Sequence, residues 1–380
     1  MHNDRMERLQ EEALARDLDR KYVFLTGPRQ VGKTTLARRL IEARKGSCYL
    51  NFDADADRPA ILRQSWDRKA PLVVLDEVHK LKSWKRRLKG VYDTEGIPPR
   101  ILVTGSARLD LYRRGGDSMA GRYFLHRLHP LSVRELRGTA PPAVILERLM
   151  RFGGFPEPYL AASDQEAARW RQQHLERIVR EDIQDLEPVK DVRTLLLLVD
   201  LLSERVGSPI SCPSLGRDLE LSPHTVRRWI RIQEHMYVVF LVTPWHRNVA
   251  RSILKEPKAY FYDSGAVRGD EGARLENAVA VCLRKWLDFR TDVQGRTCAL
   301  HYLRDKEKRE VDFTVVEDGR PRLLLEVKRS ETSVSPSLRY FSKRLAPEEC
   351  LQLVQTAARA QTVDGIHVRP AAEWLDTLEA

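Results

Sequence analysis

The sequence predicts an α/β protein of several domains, and three observations predict it. Four short apolar runs, YVFLTG (22–27), SCYLNFD (47–53), PLVVLDE (71–77) and ILVTGS (101–106), alternate with helical or loop sequence, the pattern of a buried parallel sheet with both faces covered. The first run ends in GPRQVGKTTL (27–36), a glycine-rich turn that opens a helix. From about residue 140 the period becomes helical, and strand-like runs return in the last third. At 380 residues the chain exceeds one ordinary core, and at roughly 100–200 residues per domain two or three domains are expected.

Taken in order, residues 5–18 read as an amphipathic lead-in helix and Lys33 to about Arg44 as the helix after the first strand. Segments 143–151, 164–187 and 190–205 are helical and are punctuated by FGGFPEP (152–158). Residues 208–262 give helix, tight turn, helix and two β runs, YVVFLVT (237–243) and KAYFYD (258–263). A helix over 271–287 precedes strands at 297–304, 310–316 and 321–328, a helix at 336–345 and a strand at 350–354. The expected domains are a P-loop NTPase core (1–140), a helical lid or connector (141–207), a winged helix-turn-helix (208–265) and a second α/β domain (266–380).

GPRQVGKTTL fits GxxxxGK[ST] between a strand and a helix, so Gly27, Pro28, Arg29, Gln30, Val31 and Gly32 should wrap phosphates with backbone N–H groups. Lys33 is expected on the β and γ phosphates, with Thr34 on Mg²⁺ and Thr35 beside it. LVVLDE supplies the second half: Asp76 for the Mg²⁺ shell and Glu77 as general base, the alternative for Glu77 being a surface carboxylate. Thr104 or Ser106 would place a hydroxyl near the attacking water, or cap a turn. Among Arg108, Arg113, Arg114 and Arg122, Arg122 in MAGR is the preferred arginine finger toward a neighbour's γ-phosphate. ATP and Mg²⁺ are the expected cofactors.

With GPRQVGKTTL, LDEVHKLKSWKRRLKGVYD, VTGSARLDL, SMAGR and FGGFPEP in this order, the chain resembles the bacterial and archaeal AAA-like ATPases that carry a C-terminal DUF4143 domain. The resemblance implies an AAA+-type ATPase related to STAND-like archaeal ATPases. It also implies that Gly153, Gly154 and Pro156 belong to a lid near the adenine.

Composition narrows the partners. Hydrophobic residues are 42% and charged residues 31%, which suits packed cores and excludes a disordered or fibrous chain. Lys and Arg number 65 against 54 Asp and Glu, a net charge of +11 that favours polyanions. Five dispersed cysteines without a CxxC pair suggest reduced thiols rather than a disulfide framework or zinc site. Residues 1–20 lack an apolar signal core, and no apolar run approaches the roughly 20 residues that cross a bilayer, so a cytoplasmic location is expected.

Two segments carry the positive charge. KLKSWKRRLKGVY (80–92) should pack Trp84, Leu88 and Val91 and leave a cationic face, either merely solvated or in contact with phosphates. SLGRDLELSPHTVRRWIRIQEH (214–235) reads as a helix-turn-helix with Ser222 as N-cap and Val226 and Ile230 inward. His224, Arg227, Arg228 and Arg231 would face DNA, and the loop between the β runs adds His246, Arg247, Arg251 and Lys255 as a wing. Such modules also serve as purely structural parts of ATPases.

The last domain holds Glu276 on a helix, Asp312 in a strand, and Glu326 and Lys328 on one face of the next strand. A hairpin through Glu317–Gly319 would bring them together, with Asp312 and Glu326 as metal ligands and Lys328 positioning water. These four resemble the acid, acid and ExK positions of the PD-(D/E)XK nuclease fold, somewhat as in archaeal Holliday-junction resolvases, although Val311 precedes Asp312 where that pattern has proline. The fold without cleavage, as a binding platform, is the alternative. The expected function is an ATP-hydrolysing, DNA-binding homo-oligomer acting on branched or non-duplex DNA. The competing readings are a metal-dependent nuclease regulated by ATP and a STAND-like switch controlling a protein interaction or transcription.

Overall fold

The computed structural model describes residues 6–97, 99–105, 119–183, 191–246, 256–330, 333–356 and 360–378. They form two compact units, one running to His129 and taking in Asp292–Gln294, the other running from Pro130.

In the first unit α1 (Gln10–Asp17) leads into β1 (Tyr22–Thr26), and α2 (Lys33–Glu42), β2 (Cys48–Asn51), α3 (Arg58–Arg63), β3 (Leu72–Asp76), α4 (Trp84–Glu95), β4 (Arg100–Thr104) and β5 (Tyr123–Arg127) follow. The five strands are parallel in the order β2-β3-β4-β1-β5. Every residue of β1 and β3 is buried, as continuous apolar runs in a doubly covered sheet require. One face is held by Phe24 stacked on Tyr123 at 4.2 Å and by Trp84, Leu88 and Val91 of α4, the face expected from its helical spacing.

β5 is the strand that the sequence reading lacked. Its YFLHR carries two polar residues, yet His126 is fully buried, with Nε2 2.9 Å from Asp17 Oδ2 of α1, a partner 109 positions away. A buried polar residue satisfied from so far along the chain leaves no local apolar signature.

The second unit begins with helices α5 (Pro142–Phe152), α6 (Pro156–Ala161), α7 (Asp164–Arg177) and α8 (Val192–Ser203). The helix expected to reach residue 187 changes winding at Ile178, where a π-helical turn runs to Ile183. Next come α9 (Cys212–Asp218), α10 (Pro223–His235), β6 (Val239–Pro244), β7 (Lys258–Phe261), α11 (Glu271–Gln294), β8 (Cys298–Arg304), β9 (Glu310–Glu317) and β10 (Arg320–Lys328). The chain closes with α12 (Pro336–Leu345), β11 (Glu349–Val354), β12 (Gln361–Val363), β13 (Ile366–Pro370) and α13 (Ala371–Asp376). The last two strands and α13 were not foreseen.

An eight-stranded sheet in the order β12-β13-β11-β10-β9-β8-β6-β7 organises this unit. β9 and β10 form a hairpin across Asp318–Gly319, both at positive φ (51° and 77°), as a tight two-residue turn demands. β10 and β11 are parallel and joined through α12, the crossover such a pair needs.

The strand pair expected as a wing belongs to this sheet. β6 pairs antiparallel with β7 and, through Thr243 and Pro244, parallel with His301 and Tyr302 of β8. The sheet therefore joins strands from both sides of the expected boundary at 265/266.

Candidate functional site

The phosphate loop is shaped by backbone that only certain residues tolerate. Gly27 has φ 140°, and a Cβ there would lie 2.2 Å from the Leu128 carbonyl oxygen. Gly32 has φ 101° and caps α2. Gln30 also takes positive φ, and Val31 is buried. Arg8, itself buried, donates to the Val31 carbonyl at 3.0 Å and braces the loop, a contribution invisible in the motif. Lys33 is buried, and its ammonium donates to the carbonyls of Gly27 at 2.9 Å and Pro28 at 2.6 Å, which holds its tip within the loop. Thr34 and Thr35 are exposed at the helix start.

Because β3 lies between β2 and β4, Asp76 at its end is reached from both neighbouring strands. Thr104, wholly buried at the end of β4, donates to Asp76 Oδ1 at 2.5 Å. Tyr49 of β2 donates to Asp76 Oδ2, and the Thr34 hydroxyl lies 3.4 Å from the same oxygen. Thr34 and Asp76 thus offer hard oxygen donors side by side, which suits Mg²⁺. Thr104 is the hydroxyl that the sequence reading paired with Ser106 as alternatives. Tyr49 was not foreseen, although its position in a strand adjoining PLVVLDE was the available signal.

Glu77 follows in a left-handed turn, φ 57°, which lifts its side chain out of the strand alternation. Its carboxylate lies 3.6 Å from His79 Nε2 and 3.5 Å from Lys80 Nζ. Burial raises its pKa above the ordinary carboxylate value, opposed by Lys80, Lys33 and Arg29 and reinforced by Asp76. Lys80 also pairs with Asp53. Lys82 and Arg86 are exposed on the cationic face beyond.

Arg122 is not brought to this site. It sits at the start of β5, where its carbonyl accepts from Tyr22 N–H, so it lies at the sheet edge away from the loop that follows β1. Its guanidinium is bidentate to Asp93 at 2.6 and 3.1 Å. Ser106, Arg108, Arg113 and Arg114 lie outside the described residues, as do Arg247, Arg251 and Lys255.

In the second unit Glu276 and Asp312, together with Glu310, lie around Lys258, a residue without an expected role. Lys258 of β7 is 1% exposed, and its ammonium lies 2.7 Å from Glu310, 3.4 Å from Glu276 and 3.9 Å from Asp312. Tyr260 donates to Glu276 at 2.6 Å, and Asp312 Oδ2 accepts from Val327 N–H at 2.8 Å. Glu326 pairs with Lys328 at 2.9 Å. Burial pulls the Lys258 pKa down, but Glu276, Asp312 and Glu310 together hold it above its ordinary value. Burial, then Glu276 and Glu326, push Asp312 well up. Burial likewise raises Glu326 against the pull of Lys328.

The expected metal ligands Asp312 and Glu326 stand beside a competing cation in this geometry. The Lys258 ammonium lies against Glu310, Glu276 and Asp312, Glu326 Oε2 is buried without a hydrogen-bond partner, and among the described residues no group of three His, Cys, Asp or Glu is arranged to hold a metal ion. Lys258 escaped notice because KAYFYD reads as an ordinary apolar strand with one charged end.

On α10, Val226 and Ile230 are buried as expected, with Trp229 beside them, while His224, Arg227, Arg228 and Arg231 are exposed. Gly216 of α9 is required by packing, since a Cβ would stand 2.6 Å from the Leu221 carbonyl oxygen. FGGFPEP is a joint within this unit. Gly153, at φ 83°, would put a Cβ 1.8 Å from Asp263 Oδ1, and Gly154 would put one 2.7 Å from the Leu131 carbonyl oxygen. Asp263 in turn accepts from Arg171 at 2.7 Å, and Pro156 starts α6.

A five-stranded parallel sheet with a glycine-rich phosphate loop after one strand, and an acid pair ending another two places away, defines a P-loop ATPase. Comparison with known proteins extends this. An AAA domain matches residues 19–137, a domain of unknown function (DUF8612) matches 144–269, and a domain of unknown function (DUF4143) matches 271–374. DUF8612 spans as one piece what the sequence reading divided into connector and winged helix. The uncharacterized protein Rv2008c of Mycobacterium tuberculosis is 31% identical over 329 residues, covering 83% of this chain and 72% of the relative. The uncharacterized protein MJ1544 of Methanocaldococcus jannaschii is 21% identical over 294 residues, covering 71% and 64%. Among solved structures, the Walker-type ATPase paby2304 of Pyrococcus abyssi superposes with a TM-score of 0.41 at 15% identity, over 70% of this chain and 96% of that one. The chain belongs to the family of AAA-like P-loop ATPases with a C-terminal DUF4143 domain. Among the described residues no helix is long and apolar enough to cross a membrane.

Proposed function

We propose that this chain hydrolyses ATP at the loop formed by Gly27–Gly32 and couples turnover to binding of branched or otherwise non-duplex DNA, as a homo-oligomer. The observation that carries the ATPase reading is the convergence of Thr34, Tyr49 and Thr104 on Asp76, with Glu77 next in sequence and partly withdrawn from solvent. Lys33 binds the β and γ phosphates, while Thr34 and Asp76 hold Mg²⁺, which when bound neutralises charge on the phosphates. Glu77, with its raised pKa, is suited to accept a proton from water at near-neutral pH. Arg122, turned away from its own loop, is a candidate finger only toward a neighbouring copy.

Support for DNA is the exposed row His224, Arg227, Arg228 and Arg231 on α10 over a packed inner face, in a chain of net charge +11. The test is ATP turnover and binding measured over a panel of DNA shapes at graded salt. Stimulation greater for forked or four-way DNA than for duplex, with affinity falling steeply as salt rises, is the expected result. Absence of DNA binding at low salt overturns it. That outcome favours a second reading, a nucleotide switch controlling a protein interaction, which has one observation on its side. The strands after α10 are built into the large sheet instead of forming a free wing.

A further inference from the structure

We propose that the Lys258 ammonium is the resident cation of the carboxylate pocket in the second unit, standing where a divalent metal would bind and excluding it. The pocket then works as an internal ion cluster that locks β7, α11 and β9 together, and not as a metal centre for phosphodiester cleavage.

Each acid in the pocket already has a cationic or hydrogen-bonding partner. Glu310 is shared by Lys258 at 2.7 Å and Arg304 at 3.3 Å, and Glu276 by Lys258 at 3.4 Å and Tyr260 at 2.6 Å. Asp312 takes the Val327 N–H where the β9–β10 ladder ends, and Glu326 turns its Oε1 to Lys328 while its Oε2 is buried without a hydrogen-bond partner. The separations from Lys258 are those of ammonium ion pairs. A divalent cation of the Mg²⁺ or Ca²⁺ kind draws oxygens in to about 2.0–2.6 Å, and an ammonium already among the same carboxylates opposes it by like-charge repulsion.

β7 is buried along its whole length, the Lys258 backbone is held by its pairing with Val242 and by a bridge to Pro209, and the buried side chain ends among three carboxylates. The Tyr302 ring, 5.3 Å from the ammonium, closes another side. Gly207 packs against Glu276 so closely that a Cβ would lie 2.7 Å from its carboxylate. A metal would have to displace a side chain that the fold itself holds in place.

The test is Mn²⁺ uptake by the full chain, followed by electron paramagnetic resonance without nucleotide, in an Asp76→Asn background that removes the carboxylate of the other candidate site. With Lys258 present, no site tighter than on the order of 1 mM, the weak end of protein divalent-cation sites, is expected. Lys258→Met should gain one Mn²⁺ per chain, and adding Asp312→Asn should abolish it. A folded Lys258→Met chain that takes up no Mn²⁺ overturns the proposal. If that variant does not fold, Asp312→Asn in the lysine-bearing chain decides. Unchanged, negligible uptake upholds the exclusion, whereas Mn²⁺ bound by the parent and lost in Asp312→Asn defeats it.

Discussion

Thr104, at the buried end of β4, donates its hydroxyl to Asp76 Oδ1 at 2.5 Å across to the neighbouring strand. This bond leaves Asp76 Oδ2 facing Tyr49 and Thr34. Thr104→Val keeps the shape of the side chain and removes the donor. A hydrogen bond to a charged group contributes about 1.5–3 kcal/mol, so turnover should fall roughly 10- to 100-fold and require more Mg²⁺ for half-saturation. Turnover titrated with Mg²⁺ checks this, and an unchanged Mg²⁺ profile rejects the role of Thr104 in orienting Asp76.

Lys33 and Glu77 should separate binding from chemistry. Lys33→Ala removes a phosphate contact and is expected to abolish ATP binding or turnover. Glu77→Gln should keep binding but lose about 10²–10⁴-fold in kcat, trapping ATP on the protein. Nucleotide retention on a filter, set beside single-turnover rates, distinguishes the two. Full turnover by Glu77→Gln would remove it as the base.

The pH profile follows from burial. Glu77 acts as a base only when ionised, and its pKa is raised, so activity should be lost on acidification at a pH above the ordinary carboxylate range. Lys80, 3.5 Å away, favours the ionised form. In Lys80→Met the acid limb of kcat should therefore move to still higher pH. A limb that stays in place in that variant excludes Lys80 as the counter-charge.

Arg227 and Arg231 are exposed on α10, whereas Trp229 between them is buried. Replacing both arginines with alanine should weaken DNA binding across sequences and flatten the slope of log affinity against log salt by about 2. Trp229→Ala should instead cost stability, about 3–5 kcal/mol. Binding isotherms at several salt concentrations, together with thermal melts, tell the two effects apart.

Gly153→Ala tests the FGGFPEP joint. The added methyl meets Asp263 Oδ1 at 1.8 Å in a backbone of positive φ, and relief requires Asp263 to leave Arg171. A loss of about 2–3 kcal/mol is expected from strain and the broken buried pair. A calorimetric melt unchanged from the parent would show that the joint tolerates a side chain.

The nucleotide half of the molecule was readable because its determinants are local. Apolar runs mark buried parallel strands, and Gly27, Gly32 and Lys33 are spaced for one continuous turn, so neither needs a distant partner to be recognised. The family could be named from the same contiguous motifs. Tertiary structure decided the rest, wherever a side chain takes its meaning from a partner far along the chain. His126 is a strand residue because Asp17 satisfies it, and Arg8 supports the phosphate loop from 23 positions away. Tyr49 matters through a strand register that sets it opposite Val74, two residues before Asp76, so that its hydroxyl reaches the carboxylate. In the second unit, alternation along β10 correctly put Glu326 and Lys328 on one face, but not what lies between the acids. That was settled when β7 joined the sheet and carried Lys258 among Glu276, Glu310 and Asp312, because a buried charge is defined by the charges around it and not by its neighbours in sequence.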